Sequence, residues 1–163
     1  MNDSDSIEYS VMAAKLLTNF GFVEFLSIQW LMTLKEPKMK LKNIYSMRLH
    51  DRINEILSLV NKSDKFTKTE KYEILKIWKE LNGKGREIRN SIAHSPFVQS
   101  RTSNTDGTQS INFEGFLTFN KKTNMEELIS LEELKKAVDI TANLIKKLTP
   151  ISSTLQKTNH KNT

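Results

Sequence analysis

Arg89-Asn90-Ser91-Ile92-Ala93-His94 is the stretch of this chain whose side chains could do chemistry. It sets a cation, an amide and an imidazole on consecutive turns of an expected helix. At about 100° per residue, Arg86, Asn90 and His94 fall along one helix edge, one turn apart. Arg89 points elsewhere, into the apolar arc between Trp78 and Leu75. An unpaired guanidinium is expensive there, and the carboxylate of Glu24 is an attractive partner for it. With Arg89 inward and Asn90 and His94 outward, one helix aims all three at a single phosphate only with a second chain or a bend near Gly85. Imidazole exchanges protons near neutral pH, and arginine suits a phosphoryl group and its developing charge. Arginine, amide and histidine without a carboxylate cluster suit metal-free cleavage of RNA, in which the ribose 2′-hydroxyl supplies the nucleophile. The same residues also fit a helix end in which Asn90 and His94 cap carbonyls and Arg89 makes a buried ion pair. Spacing alone leaves both open.

Four helices are expected to position this run. The first spans about Ser6 to Leu34 and is closed by Pro37, with Leu17, Phe20, Ile28 and Leu31 on one face and Lys15, Thr18, Gln29 and Thr33 opposite. Glu24 projects from the middle of the apolar face, where it either snorkels to water at a lip of the bundle or serves the site. The second helix runs from about Leu41 to Val60, its buried stripe Leu49, Ile53, Ile56 and Val60, with Arg48, Asp51, Arg52 and Glu55 largely away from it. His50 sits at the edge of that stripe and reads as a surface residue.

Thr67 to Glu70 has capping-box spacing and opens the third helix, which carries Ile74, Ile77, Trp78, Leu81, Ile88 and Ile92 on one face. Gly83 and Gly85 inside it call for a bend or for close packing of another backbone, and Gly85 on the apolar face favours packing. Pro96 ends this helix at His94 or Ser95. From Phe97 to Phe119 the residues become β-capable, with an Asp106-Gly107 turn, so a β-hairpin is expected between the helices. Ser130 to Glu133 is a second capping box and opens the fourth helix, with Leu131, Leu134, Val138, Thr141, Ile145 and Leu148 inside and Pro150 as its end. Residues 151–163 read as a disordered tail, leaving one domain over 6–150.

At 163 residues with 37% hydrophobic residues, the chain is long enough for one domain with its own core. It has no cysteine, and His50, His94 and His160 lack metal-ligand spacing, so neither a metal nor another cofactor is expected. The start is acidic and the first apolar run is interrupted by Lys15, Asn19, Glu24 and Gln29, which makes a poor membrane span and points to a cytoplasmic protein. Twenty-five Lys and Arg against nineteen Asp and Glu give a net charge of +6, which favours polyanions only weakly as an argument for nucleic acid.

The run Arg89 to His94 resembles the signature of HEPN domains (higher eukaryotes and prokaryotes nucleotide-binding): an Arg, a polar residue and, after four to six intervening residues, a His. Here four residues intervene, Asn90 fills the polar place, and the run closes the third of four helices. The resemblance covers roughly Ser6 to Leu148. It implies an all-α, up-and-down four-helix bundle, here carrying the hairpin as an elaboration that could gate the cleft or extend the dimer contact. It also implies a homodimer with a composite cleft and a metal-independent endoribonuclease of toxin–antitoxin, abortive-infection or other phage-defence systems. RNA, an antitoxin or defence-system partner and a second copy are thus the implied partners, with no membrane. By position, Arg89 stabilises the phosphate, His94 is the acid–base group and Asn90 positions either of them. Glu24 and Arg86 join the site from helical geometry alone. The other reading is a non-catalytic HEPN module that binds nucleic acid or a partner protein through the same dimeric surface.

Overall fold

In the computed structural model, residues 3–35, 40–94, 97–103, 105, 107–120 and 125–160 are described. Their elements are α1 (Asp3–Leu34), α2 (Leu41–Ser46), α3 (Leu49–Lys62), α4 (Lys68–Leu81), α5 (Lys84–His94), β1 (Phe97–Ser103), β2 (Gln109–Asn120), β3 (Met125–Leu128) and α6 (Leu131–His160). The chain is mostly helical, with one small antiparallel sheet.

Helix α1 is the central element and packs on α2, α3, α5, α6 and β2. Tyr9, Ala13, Leu16, Phe20, Val23, Leu26 and Trp30 recur at three- and four-residue spacing and are buried. Of the expected face, Phe20 and Leu31 are fully buried and Ile28 packs against the core in part, but Leu17 is exposed, so the face is turned toward Leu16 and Val23. This helix is apolar on nearly every side, so periodicity could not fix the inward face sharply. By length and composition alone it is long and apolar enough to cross a membrane, as the core helix of a soluble protein also can be. Its C-terminal half is fixed by Trp30, which stacks on Phe66 with ring centroids 6.1 Å apart and meets Trp78 edge-on at 5.7 Å. The Trp30 indole N–H donates to Ser152 Oγ at 2.6 Å.

The expected second helix is two. Met47 and Arg48 are extended, and they separate α2 from α3. In one continuous helix Ile44 would stand about 180° from Ile53. Both are fully buried, and the break is what lets both face the core. Arg52 also corrects the expected pattern, since it is buried with the stripe rather than lying away from it.

The third helix divides in the same way, into α4 and α5 at Asn82-Gly83. The Thr67 capping box is formed, and the whole expected stripe from Ile74 to Ile92 is buried. Gly85 sits against α6 and α1: a Cβ there would lie 3.3 Å from Thr141 Oγ1 and 3.7 Å from Phe20. The chain thus both turns at Gly83 and packs closely at Gly85. Helix α5 ends at His94, and Ser95 and Pro96 lie outside the described residues, as do Pro37, Asn104 and Asp106.

The hairpin is present and gains a third strand, giving the order β1-β2-β3. Phe97 pairs with Phe116 and Ser103 with Gln109, and β3 adds Leu128 opposite Leu117. Gly107 takes a positive φ of 82° in the turn, as an Asp-Gly signal requires. Tyr9 ties the sheet to α1: its hydroxyl donates to the Ile129 carbonyl at 3.0 Å and accepts from the Phe116 N–H at 3.3 Å. Gly115, at φ 136°, leaves room for that hydroxyl, which a Cβ would approach to 3.3 Å.

The Ser130 capping box opens α6 as expected. Beside it, the Lys84 ammonium bonded to Glu133 at 2.7 Å holds the Glu133 carboxyl below its usual range, which ties the start of α6 to the start of α5. Pro150 does not end α6, which continues to His160. Pro150 is exposed, so solvent can serve the carbonyl that loses its N–H partner. The continuation buries Ser152 and Leu155 against Trp30 and the core, which offsets the proline. The expected tail is helical as far as residue 160, and residues 161–163 lie outside the described residues.

Candidate functional site

Three helices converge on a cleft of about 540 Å³. The α2–α3 break and the first turn of α3 bring Arg48, His50, Asp51 and Arg52; α5 brings Arg86, Arg89, Asn90 and His94; α1 brings Glu24. All five side chains singled out in the sequence line this one cleft. Arg89 turns inward to Glu24 as expected, while His94 stands exposed, and the helix is interrupted at Asn82-Gly83, next to the bend expected near Gly85.

Glu24 organises the cleft. Its Oε1 accepts from Arg89 Nη2 at 3.0 Å, and its Oε2 lies 3.7 Å from Arg52 Nη2. The pairing of Glu24 with Arg89 is formed, and a second arginine joins it. The carboxylate is about one-third exposed, whereas Arg52 is 7% exposed. A guanidinium is buried that deeply at acceptable cost only with a counter-charge at hand. Arg89 Nη1 donates to Asn90 Oδ1 at 3.1 Å, so Asn90 positions the arginine. Arg86 Nε donates to the Asn82 carbonyl at 3.2 Å, at the end of α4. Arg52 Nε and Arg89 Nε are buried with no hydrogen-bond partner, which leaves both guanidiniums under-satisfied.

Four arginines against Glu24 and Asp51 give the cleft an excess of positive charge before either histidine is counted. His94 stands exposed in the last turn of α5. His50, assigned to the surface from sequence, is exposed but lines the same cleft. Its Nε2 lies 3.0 Å from Asn54 Nδ2 and its Nδ1 3.1 Å from Asn82 Oδ1. The signal for it was the asparagine one turn on; the tie to Asn82 depends on the breaks before α3 and α5. Among the described residues no group of three or more acidic and histidine side chains is placed to hold a metal ion.

This arrangement can bind an anion among several guanidiniums and offer an imidazole at its edge. Compared with known proteins, the chain matches no family model, no curated protein and no solved structure.

If Glu24 and Arg89 are a working ion pair, Glu24→Ala and Arg89→Ala are non-additive. Urea unfolding of the two single variants and the double variant should return a coupling energy of about 0.5–1 kcal/mol. Additive effects would remove Glu24 from its organising role.

Proposed function

We propose that the protein is a HEPN-type endoribonuclease that needs no metal ion and acts in the cytoplasm within a toxin–antitoxin or phage-defence system. The observation that carries this reading is that Arg89, Asn90 and His94 line one arginine-rich cleft. On it, α1, α3, the α4–α5 pair and α6 stand for the four helices of a HEPN bundle, and the three-stranded sheet is an addition before the last.

The chemistry follows from the residue types. A phosphodiester carries one negative charge and gains more on its non-bridging oxygens as the 2′-oxygen attacks. Preorganised guanidiniums stabilise that charge in a cleft partly withdrawn from water. Arg89 is preorganised by Glu24 on one nitrogen and Asn90 on the other, and Arg86 is fixed by the Asn82 carbonyl. His94 transfers the proton. The ribose supplies the nucleophile, so the protein needs acid–base groups and positive charge only.

One observation favours the non-catalytic module: both terminal nitrogens of Arg89 are already engaged, as in a structural ion pair. Incubation with total RNA in EDTA separates the two. The ribonuclease cleaves, and His94→Ala and Arg89→Ala each lower the rate by about 10²-fold or more. Intact RNA with retained binding supports the module instead. In a defence or toxin role, expression slows growth and His94→Ala relieves it; equal toxicity of the variant counts against that role.

A homodimer is part of the same proposal, and α1 supports it. Phe25 is 51% exposed and Val11, Phe22 and Met32 are at least 40% exposed, along one side of the helix. The Phe22 and Phe25 rings stand 6.0 Å apart. Phe25→Glu should convert a dimer to a monomer in light scattering, whereas an unchanged dimer would place the interface elsewhere.

A further inference from the structure

We propose that His50 is a second proton-transfer group, so that His50 and His94 together form the general base and general acid of the cleft. This rests on the ribonuclease reading and adds to it a residue outside the Arg89–His94 run.

Transfer of a phosphoryl group to the 2′-oxygen places the entering and leaving oxygens on opposite sides of phosphorus. The O2′–P bond forms as the P–O5′ bond breaks. One imidazole takes the proton from the 2′-hydroxyl, and an imidazolium gives a proton to the departing O5′, leaving a 2′,3′-cyclic phosphate and a 5′-hydroxyl. No other reactant enters. A single imidazole cannot reach both oxygens in one in-line step, so the reaction is best served by two that enter the cleft from different elements. His50 stands at the start of α3 and His94 at the end of α5, and both line it.

The surroundings of His50 are those of a held group. An exposed imidazole on a charged helix is ordinarily free to turn. Here Asn54, one turn along α3, meets Nε2, and Asn82, in the turn between α4 and α5, meets Nδ1. An asparagine amide presents either an oxygen or an NH2 group. Asn82 has both within reach of Nδ1, Oδ1 at 3.1 Å and Nδ2 at 3.0 Å. For proton transfer the substrate oxygen takes the place of Asn54 at Nε2, while Asn82, accepting the Nδ1–H on its Oδ1, holds the ring in both its neutral and its protonated form. Asn82 also accepts Arg86 Nε on its carbonyl, so one residue fixes both the imidazole and a guanidinium that lines the cleft. The charged groups around the cleft are Glu24 from α1, Arg48, Asp51 and Arg52 at α3, and Arg86, Arg89 and His94 on α5.

The test uses the full chain and two dinucleotide substrates, one ordinary and one with sulfur in place of the bridging 5′-oxygen. A thiolate leaves without being protonated, so the substrate is indifferent to loss of the general acid. On the ordinary dinucleotide, His50→Ala and His94→Ala should each lower kcat/KM by about 10²-fold or more, and each should remove one limb of the bell-shaped pH profile. On the sulfur substrate one variant should return to within about tenfold of wild type while the other stays impaired. That split identifies acid and base and does not arise from a structural defect. His50→Gln, which keeps polar contact with Asn54 and Asn82, should behave as His50→Ala does. Wild-type kcat/KM in both His50 variants, or an identical response of the His50 and His94 variants to sulfur, overturns the proposal while leaving the ribonuclease reading intact. Failure of the wild-type protein to cleave either dinucleotide or RNA overturns both.

Discussion

The carboxylate of Glu24 is the constraint on which the cleft depends. It stands on α1 between Arg89 of α5 and Arg52 of α3, so one negative charge joins the three helices that form the cleft. Two guanidiniums brought this close without it would repel each other and face burial unpaired. With it, Arg89 is held on one side by Glu24 and on the other by Asn90, and α5 presents Arg86 and His94 along the same opening. The pair is partly exposed, so its contribution to global stability is modest. Its larger effect is on geometry, because it decides where positive charge stands in the cleft.

Around that constraint the fold uses breaks rather than long straight helices. The extended pair Met47-Arg48 brings Arg48 to the edge of the cleft and starts α3 in the phase that buries Arg52 and offers His50. The turn at Asn82-Gly83 places an asparagine where it touches both His50 and Arg86. Continuous helices would carry these residues at other angles. The interruptions that look like defects in each helical pattern are therefore what assembles the polar groups at one place.

Much of this was legible in the residues. The capping boxes at Thr67 and Ser130 mark helix starts because their hydrogen-bond chemistry is local, and both are formed. The Ile74 to Ile92 stripe survives because its spacing keeps one face inward through the turn. The Glu24–Arg89 pair was foreseeable because each is a charge on an apolar arc, and a charge there demands a partner. The inward face of α1 was legible only in part, through Phe20 and Leu31, since a helix apolar on most sides has no sharply defined phase. Pro150 misled because its local cost is outweighed by burial of Ser152 and Leu155, a tertiary effect. Strand β3, Met-Glu-Glu-Leu, has too few β-formers to announce itself and is held by its pairing to β2. Arg52 escaped because its burial rests on a counter-charge from α1, and His50 because its tie to Asn82 depends on the turn between α4 and α5.

If the protein acts as proposed, this cleft receives an RNA phosphodiester. The most direct test is titration of isotope-labelled protein with a short RNA whose 2′-positions are methylated and cannot react, followed by amide chemical shifts near physiological salt. Shifts concentrated in residues 47–54 and 86–94, and lost in Arg89→Ala, are the predicted result. Shifts confined to other faces of the molecule, or none at all, would contradict it.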